Sequence, residues 1–301
     1  MGELRPPERV QQAAVAGGPD KGPLALICGG GAVPLAVADA VIRTGRRVVL
    51  FPVRGWADPA AIARYPHHWI GLVQAGRFMR LARAEGCRDV VFVGTVLRPP
   101  LLSLRLDWAA LRELPRLYRS YRGGDNHLLS SVATAFEEFG FRVLGAHEVA
   151  PDILMPAGPI GRLAPAPRDH ADIARGLALL RAIGPFDVGQ AAVVADNHVL
   201  AVEAAEGTDG MLARIAELRA QGRVSTPVGV GVLIKAPKPE QDRRMDLPAI
   251  GPKTIIEVAR AGLAGIAVVA GGAIIAEPAQ VAKAADEARV FVYGVEDRPP
   301  R

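Results

Sequence analysis

Short apolar runs alternate with helical stretches along the first half of the chain, and this alternation constrains the fold more than any other feature. Leu24 to Cys28 is apolar and ends in Gly29-Gly30-Gly31, Pro34 to Arg43 then carries helical spacing, and Arg47 to Phe51 is apolar again. Strand, glycine turn, helix and strand in that order require a crossover, and repeated crossovers build a parallel sheet. Pro34 suits a first helical turn, where the amide it lacks would be unpaired anyway. Phe78 to Glu85 continues as helix, Val90 to Val93 as a buried strand closing at Gly94, Asn126 to Phe139 as a strong helix and Phe141 to Leu144 as one more strand.

The fold class expected is α/β. Half of the 301 residues are hydrophobic while aromatic residues make up only 5%, so the core must come from small aliphatic side chains, as when helices cover a buried parallel sheet. That much apolar material fills two domains. Pro151 to Pro167 holds five prolines and little periodicity, the character of a linker. The expected division is a tail over 1–22, a Rossmann-like parallel-sheet domain over 23–152, a linker over 153–168 and a catalytic α/β domain over 169–295. In the second half the sequence predicts a helix near Asp169 to Ala182 and a hairpin of Gln190 to Ala195 with Val199 to Glu203. A helix from Gly210 to Ala220, a strand from Val228 to Lys235, a helix from about Thr254 and a strand from Ile266 to Ala270 follow.

Function classes narrow on the same grounds. Cys28 and Cys87 lack the paired spacing of a zinc site or disulfide framework, which fits a reducing, cytoplasmic compartment. The longest apolar stretch, Gly262 to Ala276, is shorter than the roughly 18 residues that read as a spanning helix. A net charge of +5 favours an acidic ligand or an anionic surface, and no interleaved aromatic and basic motif points to nucleic acid. Leu104 to Arg122 is basic and amphipathic with Trp108, a candidate for contact with anionic lipid; an ordinary helix packing its leucines would look similar.

Two segments carry chemistry. A glycine turn between strand and helix lets backbone amides approach a phosphate, so Gly29, Gly30 and Gly31 are candidates. Against the dinucleotide fingerprint, Pro34 replaces the third glycine and no acidic residue ends the second strand. An NADP-linked oxidoreductase using Arg54 is therefore a weaker alternative. The richer segment runs from Lys235 to Thr254 and mixes lysines and arginines with carboxylates. A pyrophosphate site needs both, cations for the phosphate oxygens and hard oxygen ligands for magnesium. A second alternative is a module that binds a nucleotide-linked lipid without turning it over, but polyanion binding alone would not add aspartates. Asp209, and Asp125 in Gly124-Asp125-Asn126-His127, read equally as helix caps.

In order, Gly29-Gly30-Gly31, Gly94 with Arg98-Pro99, Gly124-Asp125, the Glu203 to Asp209 run, and Lys-x-x-Lys-Pro, Gln-Asp-Arg-x-x-Asp-Leu-Pro and Ile-Gly-Pro-x-Thr within Lys235 to Thr254 resemble the LpxI-type UDP-2,3-diacylglucosamine pyrophosphatases of lipid A biosynthesis. The resemblance spans Leu24 to Val295. It implies magnesium-assisted hydrolysis of UDP-2,3-diacylglucosamine to UMP and 2,3-diacylglucosamine 1-phosphate, in a cleft between the two domains. It also implies peripheral contact with the cytoplasmic face of the inner membrane and a homodimer. The catalytic residues expected are Asp246, Asp242 and Lys235, with Asp246, Asp242 and Asp209 as metal ligands. Gly29, Gly30, Gly31, Thr95, Gly124, Asp125, Thr208, Asp209 and Lys238 are expected on the substrate.

Overall fold

A computed structural model describes residues 22–96, 125–238 and 242–296. Residues 1–21 of the expected tail, the basic stretch Leu104 to Arg122, and Gly124 lie outside the described residues. The first half forms β1 (Leu24–Cys28), α1 (Val33–Arg43), β2 (Val48–Pro52), α2 (Ala75–Ala84), β3 (Asp89–Val93), α3 (Asp125–Glu138) and β4 (Arg142–Leu144). All four strands are parallel, in the order β2-β1-β3-β4. Side chains leave a strand alternately on its two faces, and both faces here are covered. Leu24, Leu26 and Cys28 pack with Val37 and Val41 of α1, whereas Ala25 and Ile27 pack with Phe78 of α2 and Phe136 of α3. This is why the strands read as continuous apolar runs.

The second half contains β5 (Gly158–Ile160), α4 (Pro167–Ile183), β6 (Ala191–Ala195), β7 (His198–Val202), α5 (Gly207–Ala220) and β8 (Val232–Lys235), then β9 (Ala249–Ile250), α6 (Pro252–Arg260), β10 (Gly265–Val269), β11 (Ile274–Ile275), α7 (Pro278–Ala288) and β12 (Phe291–Val295). Six strands make one mixed sheet ordered β5-β12-β10-β8-β6-β7. On one face Ala192, Val194, Val232 and Ile234 meet Ile173 and Leu177 of α4; on the other Ala191, Val193 and Leu233 meet Leu212, Ile255 and Val281 of α5, α6 and α7. The mixed α/β class holds for both halves.

Three local expectations need revision. Part of the segment expected as linker is sheet, since β5 pairs antiparallel with β12, and Ile153 and Met155 beside it are buried. The strand expected from Val228 begins only at Val232. Gly229 and Gly231 take φ of 81° and 100°, outside the range of a strand, and Arg219 holds the turn by donating to the carbonyl oxygens of Thr226, Pro227, Val230 and Ala261. α5 starts three residues earlier than the pattern suggested, so Thr208 and Asp209 lie in its first turn. The hairpin turns where expected: Asp196 and Asn197 take φ of 47° and 63°, the conformation of a two-residue hairpin turn whose twist matches its strands.

Candidate functional site

The loop after β8 joins the two halves. Met245 is buried among Phe136, Phe141 and Val143 of the first half, and Leu247 and Ala249 pack beside Leu50 and Ile153. Arg244 crosses the junction, donating to Glu137 Oε1 at 2.7 Å and to both oxygens of Asp242 at 2.8 and 3.0 Å. A guanidinium fork gripping one carboxylate is a rigid pairing. Those hydrogen bonds hold the Asp242 carboxyl below its usual range. Arg243 donates to the carbonyl of Gly271, which ties the loop to the turn after β10.

Lys235 ends β8 and is only 7% exposed. β8 points this residue to the same face as Leu233 and, by register, directly opposite Ala191. Its Nζ donates to Thr208 Oγ1 at 2.9 Å and to Ala249 O at 3.3 Å, so these acceptors engage two of its three protons. Burial lowers the ammonium's pKa, while the charges of Glu203, Asp209 and Asp246 oppose that shift. An ammonium out of water with its pKa shifted by burial and by specific carboxylates marks a candidate functional site.

Two residues that sequence patterns did not single out as site residues complete the arrangement. Thr208 Oγ1 donates to Glu203 Oε1 at 2.8 Å, Gln190 N donates to Glu203 Oε2 at 2.8 Å, and Gln190 Nε2 donates to Asp246 Oδ2 at 2.7 Å. Gln190 and Glu203 stand at the two open ends of the hairpin, where each apolar run stops at a polar residue. That position was the available signal, but only pairing of the strands brings the two together.

The other expected residues are engaged by partners of their own. Asp209 accepts from Lys253 at 2.5 Å on the surface, and Lys238 donates to Asp187 Oδ1 at 2.5 Å. The three carboxylates expected as magnesium ligands are thus engaged by different groups: Asp242 by Arg244, Asp209 by Lys253 and Asp246 by Gln190. Among the described residues no three His, Cys, Asp or Glu side chains are grouped so as to hold a metal ion. Magnesium usually keeps several waters and takes one or two carboxylates plus substrate phosphates, and a single aspartate such as Asp246 fits that demand. Asp125 opens α3.

At the glycine turn, the Gly30 amide that was expected to face a phosphate instead donates to Thr95 O at 2.8 Å, and Thr95 N returns a bond to Gly30 O at 3.0 Å. Gly29 N donates to Val93 O at 2.8 Å. A Cβ on Gly29 would lie 2.6 Å from Thr95 O, so this glycine allows two backbones to meet. The Gly30 amide is taken up in this way because β1 and β3 are neighbours, and their outgoing loops are zipped together across Gly30 and Thr95. Amides remaining for a ligand start at Gly31.

The molecule is thus a protein of two α/β units bridged by a charged loop, with a buried lysine and carboxylates at the bridge. The comparisons specify the family. The LpxI N-terminal domain matches residues 23–153 and the LpxI C-terminal domain matches residues 156–293. The UDP-2,3-diacylglucosamine pyrophosphatase LpxI of Caulobacter vibrioides is 45% identical over 278 residues, covering 92% of this chain and 99% of that protein. The chain belongs to the LpxI family.

Proposed function

We propose that the chain hydrolyses the pyrophosphate bond of UDP-2,3-diacylglucosamine, giving UMP and 2,3-diacylglucosamine 1-phosphate in lipid A biosynthesis. The observation that carries this proposal is the 45% identity to the Caulobacter pyrophosphatase over almost its whole length. The substrate lies in a cleft between a Rossmann-like first unit and the second unit, where the loop bearing Asp242 and Asp246 touches both. Water attacks one phosphorus and forms a new P–O bond as the bridging P–O bond breaks, its proton passing to solvent. Lys235 gives its third N–H to a phosphate oxygen and offsets the charge that grows there. Asp246, oriented by Gln190, is the residue that would hold a magnesium ion beside the substrate. When bound, that ion spreads the negative charge of the transition state. Asp242 fixes Arg244 and with it the loop. Thr208 orients Lys235, and the free amide at Gly31, the first beyond the paired loops of β1 and β3, is offered to the nucleotide sugar.

The site works in the cytoplasm at the inner-membrane surface, in a homodimer. Two acyl chains keep the substrate at that surface, and among the described residues no helix is long and apolar enough to cross a membrane. The test is to incubate purified protein with UDP-2,3-diacylglucosamine in detergent micelles with magnesium and follow UMP by chromatography. UMP and the sugar phosphate should appear together, and labelled water should mark whichever phosphorus is attacked. Absence of UMP with every divalent cation tried would overturn the proposal.

A further inference from the structure

We infer that Glu203 is a positioning residue that sets Asp246 and Lys235 at the same time, through Gln190 on one side and Thr208 on the other. It rests on the proposed roles of Asp246 and Lys235. Each Glu203 oxygen accepts from a different donor: Oε2 from the Gln190 amide and Oε1 from the Thr208 hydroxyl, both at 2.8 Å. Gln190 passes its constraint on through Nε2 to Asp246 Oδ2 at 2.7 Å. Thr208 passes its own on by accepting from Lys235 Nζ at 2.9 Å. The chain Lys235, Thr208, Glu203, Gln190, Asp246 thus connects β8, the first turn of α5, the end of β7, the start of β6 and the bridging loop.

Side-chain chemistry explains why a carboxylate stands in the middle. Ionised Glu is acceptor-only, with an oxygen for each of two donors. The backbone supports the arrangement: Glu203 N donates to Ala191 O at 2.9 Å, and a Cβ on Gly189 would collide with the Glu203 carbonyl. Only glycine there lets the chain run close enough for the Gln190 amide to reach the carboxylate. Glutamine at 203 would keep one oxygen for the Gln190 N–H and turn an NH2 to Thr208, whose hydroxyl would then have to accept and send its own proton elsewhere. Alanine would release both arms.

Steady-state UMP release by the full chain tests this, with melting and circular dichroism recorded for each variant. Glu203→Ala should lower kcat about thirtyfold or more with KM within threefold, and Glu203→Gln should recover at least a tenth of the wild-type kcat. In double-mutant cycles, Gln190→Ala or Thr208→Val added to Glu203→Ala should cost less than threefold more, because groups acting as one unit are not additive. Full multiplication of the single losses, or equal loss in the Ala and Gln variants in step with lowered melting, would overturn it. So would a wild-type kcat in Glu203→Ala. Should Glu203→Ala fail to fold, Glu203→Gln replaces it in the cycles and the same additivity decides. If Asp246→Asn and Lys235→Met stay active, the underlying assignment fails; if both are inactive while Glu203→Ala keeps full kcat, only the role of Glu203 fails.

Discussion

In each half of the molecule a charge at the end of a central strand is buried, Asp89 in the first and Lys235 in the second, and the two are treated in opposite ways. Asp89 opens β3 and is 4% exposed; Lys235 closes β8 and is 7% exposed. Asp89 accepts from Arg142 Nε and Nη2 at 2.8 Å each and from Arg46 Nη2 at 2.5 Å, so two full positive charges meet it. Lys235 meets a hydroxyl and a carbonyl directly, with carboxylates only in the surrounding field. The first charge is saturated within the protein, whereas the second keeps a proton for something else. Their positions agree with this division, because ligands of open α/β sheets gather outside the carboxyl ends of strands. β3 begins at Asp89, whereas β8 ends at Lys235.

Exchange of the two charges for neutral groups should therefore separate activity from stability. Lys235→Met should lower kcat by roughly a hundred- to a thousandfold, the cost of removing one preorganised donor to developing charge. Its urea midpoint should stay level or rise, since an apolar side chain of similar length escapes the cost of burying an ammonium. A variant that keeps kcat within threefold, or that loses most of its stability, would erase the contrast.

Asp89→Asn should do the reverse. Removing the carboxylate leaves the largely buried Arg46 without its counter-charge, and breaking a buried pair from one side costs about 3 kcal/mol. Equilibrium urea unfolding should register that loss, while kcat per folded molecule should remain within twofold. A large fall in turnover with unchanged stability would mean that Asp89 reaches the site.

The contrast also separates what the sequence made legible from what it did not. Parallel strands in the first half were readable because burial on both faces turns β1, β2 and β3 into unbroken apolar runs. The hairpin was readable because Asp196 and Asn197 are residues that tolerate positive φ. β5 was hidden: Gly158–Ile160 is short, proline-bearing and on a sheet edge, where proline is permitted. In the site, Lys235 and Asp246 stood out because their segment is dense in charge. Gln190 and Glu203 did not, since their meaning comes from strand pairing across the hairpin. The Gly30 amide was misassigned for a related reason: its partner, Thr95, lies 65 positions away and meets it only because β1 and β3 are adjacent.

pH offers the finest probe of the contrast, because Lys235 ties activity and stability together with opposite signs. Burial lowers the folded-state pKa of Lys235, whereas in the unfolded chain a lysine titrates near about 10.4. If the charged form serves the phosphate, kcat falls as pH rises through the lowered value. Between the lowered value and the unfolded one, the unfolded chain binds more protons than the folded chain, so stability from this group rises with pH across that window. Below the window both states carry the proton and the group adds no slope. Asp242 gives a slope of the same sign in a much more acidic window: hydrogen bonds from Arg244 hold its carboxyl down, so its contribution is present above the usual carboxylate range and is lost as pH falls through the folded value. Measured from pH 7.5 upward, kcat should therefore decline on its alkaline side earlier than an ordinary lysine would dictate, while the urea midpoint gains a small upward component. In Lys235→Met both the alkaline decline and that component should vanish from the residual activity and the unfolding curve. An alkaline decline that persists unchanged in the variant would assign the titration to another group and leave Lys235 as a buried charge no different in kind from Asp89.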